Sequence, residues 1–275
     1  MSKFINEKNI RQFRNYGYTK IEDVLNKNDL NFIKKSIRNI SNKYINFDCN
    51  NLNNKEFNNK LIHLRKNNSA KFSSLYDTMQ SSIALKRIIS SNKILQCVEK
   101  ILSTNKEDIT TTGETIRLDP PHDDRNSYDW HQERSYYPNN RNGKNGIFCW
   151  VPLHDISKNM GPLTICPKSH KEKFIFTEKK KISKGGSIDI KVPSKLVDKY
   201  KAKIIPIEEG SIILAHMHLF HKSGKNVSKQ FRFSFVARYH IGTSEDYLPG
   251  MKINTKWNSY EKNKFKKFGD TLSDL

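Results

Sequence analysis

The run Asp129-Trp130-His131-Gln132-Glu133 places a histidine and a carboxylate two residues apart. On an extended strand, residues i and i+2 project to one face, so His131 and Glu133 can reach one metal ion while Gln132 points away. A lone His-x-Glu recurs by chance in many chains, so a third ligand has to come from elsewhere. The segment His216-Met217-His218-Leu219-Phe220-His221 offers three histidines for that place. Two histidines and one carboxylate make a facial triad, which leaves one side of an octahedral Fe(II) open. Two open positions can chelate a 2-oxoacid and the third can take O2. Zinc hydrolases also use two histidines and a carboxylate, in tetrahedral geometry. The triad by itself leaves the metal undecided, although the sequence places no general base for a hydrolase.

Arg232 narrows the choice. It follows His221 by eleven residues and falls in the β-type run Gln230–Tyr239. A guanidinium clamps a carboxylate with two parallel hydrogen bonds, which suits the far carboxylate of 2-oxoglutarate. Ser223, two residues after His221, adds a hydroxyl for the same group.

The elements that must carry these residues change character near Ser103. Residues 1–103 read as mostly helical: Leu30, Ile33, Ile37 and Ile40 recur at helical spacing, with Asn26 or Asn28 placed to cap the start. Helical patterns return over Ser69–Met79, Ile83–Ile89 and Asn92–Leu102, whereas the Asn-rich stretch 45–68 reads as a loop. Beyond Ser103, short β-type runs alternate with Pro, Gly and Asn: Ile109–Leu118, Tyr128–Tyr136, Gly146–Leu153, Leu163–Cys166, Lys203–Pro206, Ser211–His216 and Gln230–His240. Helices first and strands afterwards predict a helical layer packed on a β-sandwich or barrel. The lysine-rich segment 171–202 is long for a loop and reads as a functional insert or lid.

The bulk composition sets outer bounds. Lys plus Arg is 49 against 28 Asp plus Glu, a formal charge of +21, and the hydrophobic fraction is 35%. The cations spread along the chain and are densest at Lys171–Lys184 and Lys262–Lys267. They read as a basic surface and as a field that draws an anionic substrate. No nucleic-acid motif accompanies them. Cys49, Cys97, Cys149 and Cys166 form no CxxC pair, so reduced thiols in a cytoplasmic protein are the simplest account. The N-terminal residues lack the apolar core of a secretory signal, and no run of 18 apolar residues exists to span a membrane.

Four ordered motifs carry a resemblance. Trp130-His131-Gln132-Glu133 comes first, then Trp150-Val151-Pro152-Leu153-His154-Asp155. Asn159-Met160-Gly161-Pro162-Leu163 follows, running into Pro167-Lys168-Ser169-His170-Lys171. The last is His221-Lys222-Ser223-Gly224-Lys225-Asn226-Val227-Ser228 with Arg232, and Phe13-Arg14-Asn15-Tyr16-Gly17-Tyr18 opens the chain in similar fashion. From about residue 10 to 242, the chain resembles the phytanoyl-CoA dioxygenase family of Fe(II)/2-oxoglutarate oxygenases.

The resemblance implies a mostly β fold with α: a double-stranded β-helix (jelly roll, cupin-like) flanked by N-terminal helices. It implies one domain over 1–275, with a helical layer 1–103, a core 104–242 and a C-terminal extension 243–275. It also selects His221 over His216 and His218 as the third ligand, the latter two reading as structural or pocket residues. Trp150, Arg117 and Tyr128 become further candidates for the cosubstrate pocket. Two departures stand out. The acid is Glu133 where the family usually has Asp, and Lys168 stands where Gly is common. A retained carboxylate argues for hydroxylation or desaturation over halogenation.

The implied cofactors are Fe(II), 2-oxoglutarate as cosubstrate, and O2. The implied reaction is hydroxylation of an unactivated C–H bond in a small molecule. The net charge adds the expectation of a carboxylate or phosphate on it, for which Arg134, Arg141, Lys144 and Lys168 are nearby cations. The alternatives are a nucleic-acid-directed oxygenase of the same fold and a non-catalytic small-molecule-binding protein.

Overall fold

A computed structural model describes residues 4–124, 128–140, 143–175, 180–181, 188–189 and 191–248. The expected cation Arg141, most of the C-terminal extension 243–275 and much of the 171–202 insert lie outside the described residues.

The N-terminal part forms six helices: α1 (Glu7–Tyr16), α2 (Lys27–Ile45), α3 (Lys55–Asn67), α4 (Ser69–Gln80), α5 (Ile83–Ile89) and α6 (Asn92–Leu102). Asn26 caps α2 through a reciprocal bond with Asp29, so two orphan N–H groups of the first turn are satisfied at once. The Asn-rich stretch read as loop in fact contains α3. Phe57, Leu61 and Leu64 recur at 4 and 3 residue steps and are buried, and Asn54 caps the helix by accepting from Phe57 N–H. Asparagine masked that period, because its weak helix propensity is overridden once an apolar stripe finds a core.

Ten strands complete the described chain: β1 (Tyr18–Ile21), β2 (Ile109–Asp119), β3 (Gly146–Pro152), β4 (Leu163–Ile165), β5 (Lys180–Lys181), β6 (Ile188–Asp189), β7 (Lys203–Ile204), β8 (Ile212–His216), β9 (His221–Ser223) and β10 (Arg232–Ile241). A short helix, α7 (Ser194–Val197), precedes β7. The larger sheet has order β1-β8-β3-β10-β2 and the smaller β7-β4-β9, every pair antiparallel. Two such sheets facing each other give the expected double-stranded β-helix. The strand expected over Tyr128–Tyr136 is absent. Only His131 forms an isolated bridge, to His221, and a 3-10 turn begins at Glu133.

Alternation along the large sheet divides the interior in two. Ile147, Cys149 and Val151 of β3, with Phe233, Phe235 and Tyr239 of β10, pack under the helices. Phe148 and Trp150 of β3, with Val236 of β10, point the other way, between the sheets. The period of two thus gives one face to the helical layer and the other to the site. Gln80 of α4 covers the outer edge of β2, where its amide accepts from Ile116 N–H (2.9 Å) and donates to Ile116 C=O (3.1 Å). That bond guards an exposed edge and fixes β2, which carries Arg117. Among the described residues no helix is long and apolar enough to cross a membrane. Cys97, Cys149 and Cys166 are buried and Cys49 is half-buried, all as free thiols.

Candidate metal centre and its cleft

His131, Glu133 and His221 converge, with one ligand atom from each lying within 4.8 Å of the others, and all three are buried. The backbone brings them together. His131 N–H donates to His221 C=O (3.0 Å), and His221 N–H donates to His131 C=O (3.1 Å). After Gln132 the chain turns, and Tyr136 and Tyr137 N–H both donate to Glu133 C=O (3.0 and 3.1 Å). His131 and Glu133 do come together, but a turn rather than strand parity aims Glu133.

The imidazoles are oriented by their own backbone. His131 Nδ1 lies 2.6 Å from Asp129 C=O and His221 Nδ1 lies 2.9 Å from Leu219 C=O. A carbonyl only accepts, so each Nδ1 carries the proton and each Nε2 presents a lone pair. Those lone pairs face Glu133 Oε2 at 3.7 and 3.0 Å. Burial, and then the neighbouring His131, push the His221 ring towards its neutral form. Three acceptors crowding one point, with both ring protons spent elsewhere, are the donor set of a cation site, and imidazole and carboxylate suit a divalent first-row metal. The residues fit such an ion.

Glu133 keeps its charge there. Burial opposes ionisation, but the Arg238 guanidinium outweighs it and holds the carboxyl well below the ordinary carboxylate range. Arg238 Nε donates to Glu133 Oε1 at 2.6 Å, and Nη2 contacts the same oxygen. Sequence reading missed Arg238. The signal was parity: Arg232, Val236 and Arg238 alternate on β10 with Phe233, Phe235 and Tyr239, so they share the face of the site.

The cleft beside the triad is lined by Arg117, Tyr128, Trp150, Ser223 and Arg232, so every candidate pocket residue from the sequence reaches it. Tyr76, Tyr136, Tyr137 and Phe148 complete the wall. Phe148 stacks on the His221 ring at 4.5 Å. Arg232 is buried, and its Nε and Nη2 both donate to Asp119 Oδ2 (2.9 and 2.7 Å). Asp119 therefore grips one edge of the guanidinium and sets its orientation. Arg117 approaches the other Asp119 oxygen (3.4 Å) and lies over the Tyr128 ring.

Among the described residues, the expected cations Arg134, Lys144 and Lys168 do not line the cleft. Arg134 donates to Asn140 C=O and stacks on Phe174 at 4.2 Å. Lys168 reaches over the Tyr16 ring, its backbone N–H on Tyr16 C=O, and adopts φ +75°. It thus keeps the left-handed conformation that a glycine would take. Lys144 is exposed and its charge acts on His216. Nearness in sequence misled here, because the turn after Gln132 sends Arg134 to the opposite side from Glu133. His216 and His218 stay outside the triad. Their rings lie 5.3 Å apart, and burial lowers them to about 3 and about 4. Gln132 does point away from the metal site, into a bond network. It donates to His218 C=O and accepts from Ile175 N–H (2.8 Å), tying the start of the 171–202 insert to the ligand segment.

Comparison with known proteins agrees with this architecture. A family model, phytanoyl-CoA dioxygenase (PhyH), matches residues 13–234. A curated relative, phytanoyl-CoA dioxygenase domain-containing protein 1 homolog of Caenorhabditis elegans, is 29% identical over 132 residues, 46% of this chain and 42% of that protein. The chain thus spans less than half the length of the curated relative it matches. Among solved structures, EctD from S. alaskensis in its apoform gives a TM-score of 0.60 at 15% identity, over 92% of this chain and 82% of that one. EvdO2 from Micromonospora carbonacea var. aurantiaca complexed with 2-oxoglutarate gives 0.56 at 15% identity, over 93% and 97%. The epimerase SnoN in complex with Fe3+, alpha ketoglutarate and nogalamycin RO gives 0.55 at 14% identity, over 92% and 91%. At such identities the likeness is one of fold.

Proposed function

Because the chain belongs to the phytanoyl-CoA dioxygenase family, we propose that it is an Fe(II)- and 2-oxoglutarate-dependent oxygenase that hydroxylates a C–H bond of a small anionic molecule. The observation that carries this reading is the meeting of His131 Nε2, His221 Nε2 and Glu133 Oε2 at one buried point beside an arginine-bearing cleft. His131, Glu133 and His221 would hold the metal. Bound there, Fe(II) with 2-oxoglutarate supplies O2 activation and substrate oxidation, and 2-oxoglutarate leaves as succinate and CO2.

The chain's own groups bind, orient and exclude water. Arg232, gripped by Asp119, and Ser223 on β9 hold the distal carboxylate of the cosubstrate, with Trp150 as an adjoining wall. Tyr128, Tyr136 and Phe148 surround the imidazoles with aromatic surface and keep bulk water from them.

Charge supports an anionic substrate. Arg117, Arg232 and Arg238 stand in the cleft against Glu133 and the buried Asp119. A divalent metal and a dianionic cosubstrate cancel, so a single positive charge remains for one carboxylate or phosphate. Arg117, beside Tyr128, is the group we assign to it. The domain we propose for this activity is the helical layer with the β-core of 104–242.

Anaerobic titration with Fe(II) and 2-oxoglutarate tests the reading. The expected result is a weak visible absorption band that is lost in His131→Ala and weakened in Arg232→Ala. Succinate release on adding O2 with a panel of small acids then selects the substrate. A wild-type protein that binds neither Fe(II) nor 2-oxoglutarate would overturn the assignment, and binding without any turnover would leave a non-catalytic binding protein.

A further inference from the structure

We propose that Arg238 is a positioning residue that makes Glu133 a single-oxygen ligand, and so allows the longer acid to serve at this site. The inference rests on the metal-site reading above. Glutamate has one methylene more than aspartate, hence one more rotor, and a loose Glu133 could swing out or turn both oxygens to the metal. Arg238 restricts it. Its Nε donates to Glu133 Oε1 at 2.6 Å and its Nη2 contacts the same atom, leaving Oε2 as the oxygen that faces both imidazoles.

The guanidinium is itself fixed on its other sides. Its Nη1 donates to Gly113 C=O, and its central carbon lies 4.1 Å from the Tyr137 ring centroid. The register between β2 and β10 shifts between Val236 and Arg238, so β2 bulges where Gly113 sits with φ +59°. A Cβ on Gly113 would lie 1.9 Å from Tyr137 Cε1, so only glycine leaves room for the ring that backs Arg238. Bulges commonly re-aim a side chain next to a site, and here the bulge brings Arg238 opposite the ligand. Lysine would not substitute, because an ammonium cannot hold two nitrogens on the carboxylate while a third reaches the Gly113 carbonyl.

Fe(II) affinity by anaerobic calorimetry, and the visible spectrum of the Co(II)-loaded protein, test this in wild type, Arg238→Met, Arg238→Lys, Glu133→Asp and the double variant Arg238→Met/Glu133→Asp. Arg238→Met should weaken Fe(II) binding by about 10–100-fold and shift the Co(II) bands, as loss of an outer-shell partner does. Arg238→Lys should recover at most part of the affinity. Glu133→Asp should weaken binding in wild type, where Arg238 draws the shortened acid away from the imidazoles. In the Arg238→Met background the same change should weaken it less, by about five-fold or more. Circular dichroism and Tm check that each variant folds. If Arg238→Met does not fold, Arg238→Lys carries the test, and wild-type affinity in it overturns the proposal. So does wild-type affinity with an unchanged Co(II) spectrum in Arg238→Met, or independent effects in the double variant. A wild type that binds no metal overturns the function and this proposal together, whereas metal binding indifferent to residue 238 overturns this proposal alone.

Discussion

His131 and His221 exchange both backbone hydrogen bonds, at 3.0 and 3.1 Å, and their rings lie 4.1 Å apart between centroids. The two imidazoles are therefore placed by main chain rather than by side-chain packing. Each ring is then turned by a bond to the carbonyl two residues before it.

That origin separates binding from folding. His131→Ala and His221→Ala leave the backbone bridge intact, so each should abolish Fe(II) binding while changing apoprotein stability by about 1 kcal/mol or less. Calorimetry with Fe(II) and urea denaturation of the same samples check both halves. A large stability loss would show the imidazoles to be packing elements.

Asp119 makes the opposite case. It is buried with two arginines on its carboxylate, Arg232 at 2.7 Å and Arg117 at 3.4 Å. Removing a partner from a buried pair leaves an uncompensated charge, so Asp119→Asn should cost about 3 kcal/mol of stability. It should also raise the Kd for 2-oxoglutarate about 10-fold or more, because Arg232 loses the group that orients it. Fe(II) affinity should stay at the wild-type value, which distinguishes this effect from general damage to the site.

Lys168 holds φ +75° in a turn where a side chain is strained. Lys168→Gly relieves a penalty of roughly 1–2 kcal/mol in the folded chain but adds freedom to the unfolded one. The net expectation is a gain of about 0.5–1 kcal/mol, seen as a higher urea midpoint with unchanged 2-oxoglutarate binding. Because the ammonium lies over Tyr16 and outside the cleft, any change in substrate KM would contradict its placement.

Stability should fall with acid. Burial lowers His154 to about 4 and, with the Arg238 charge, His240 to about 4. The neutral rings are committed: His154 Nε2 accepts from Phe233 N–H (3.0 Å), and His240 bridges Asn140 and Thr112. In the unfolded chain both take up a proton near pH 6.5, about two and a half pH units earlier. Their contribution is thus complete above about pH 6.5 and is lost as pH falls towards 4, on the order of a few kcal/mol in all. Urea unfolding at pH 7.0 and 4.5 measures it. A profile flat over that interval would mean that these rings are not held neutral.

Much of the site was readable in the chain because its chemistry is tied to residue type and order. The spacings offered His131, Glu133 and Arg232 as candidates and three histidines for the remaining place, among which the family resemblance selected His221. The shift from a period near 3.6 to a period of 2 likewise announced helices followed by a β-core. Asparagine concealed α3, since its propensity argues for a loop while burial of Phe57, Leu61 and Leu64 argues for a helix, and burial prevailed.

Other decisions belonged to the tertiary structure alone. Only the bridge between His131 and His221 and the turn after Gln132 aim Glu133 at the imidazoles, because hydrogen bonds between segments distant in sequence leave no local signature. Only the β2 bulge at Gly113 sets Arg238 against Glu133, and only the folded sheet brings Asp119 to Arg232. Composition recorded a large excess of positive charge, yet burial decided which cations face the cleft. Desolvation makes a buried guanidinium keep close company with a carboxylate, whereas an exposed lysine is free to face water.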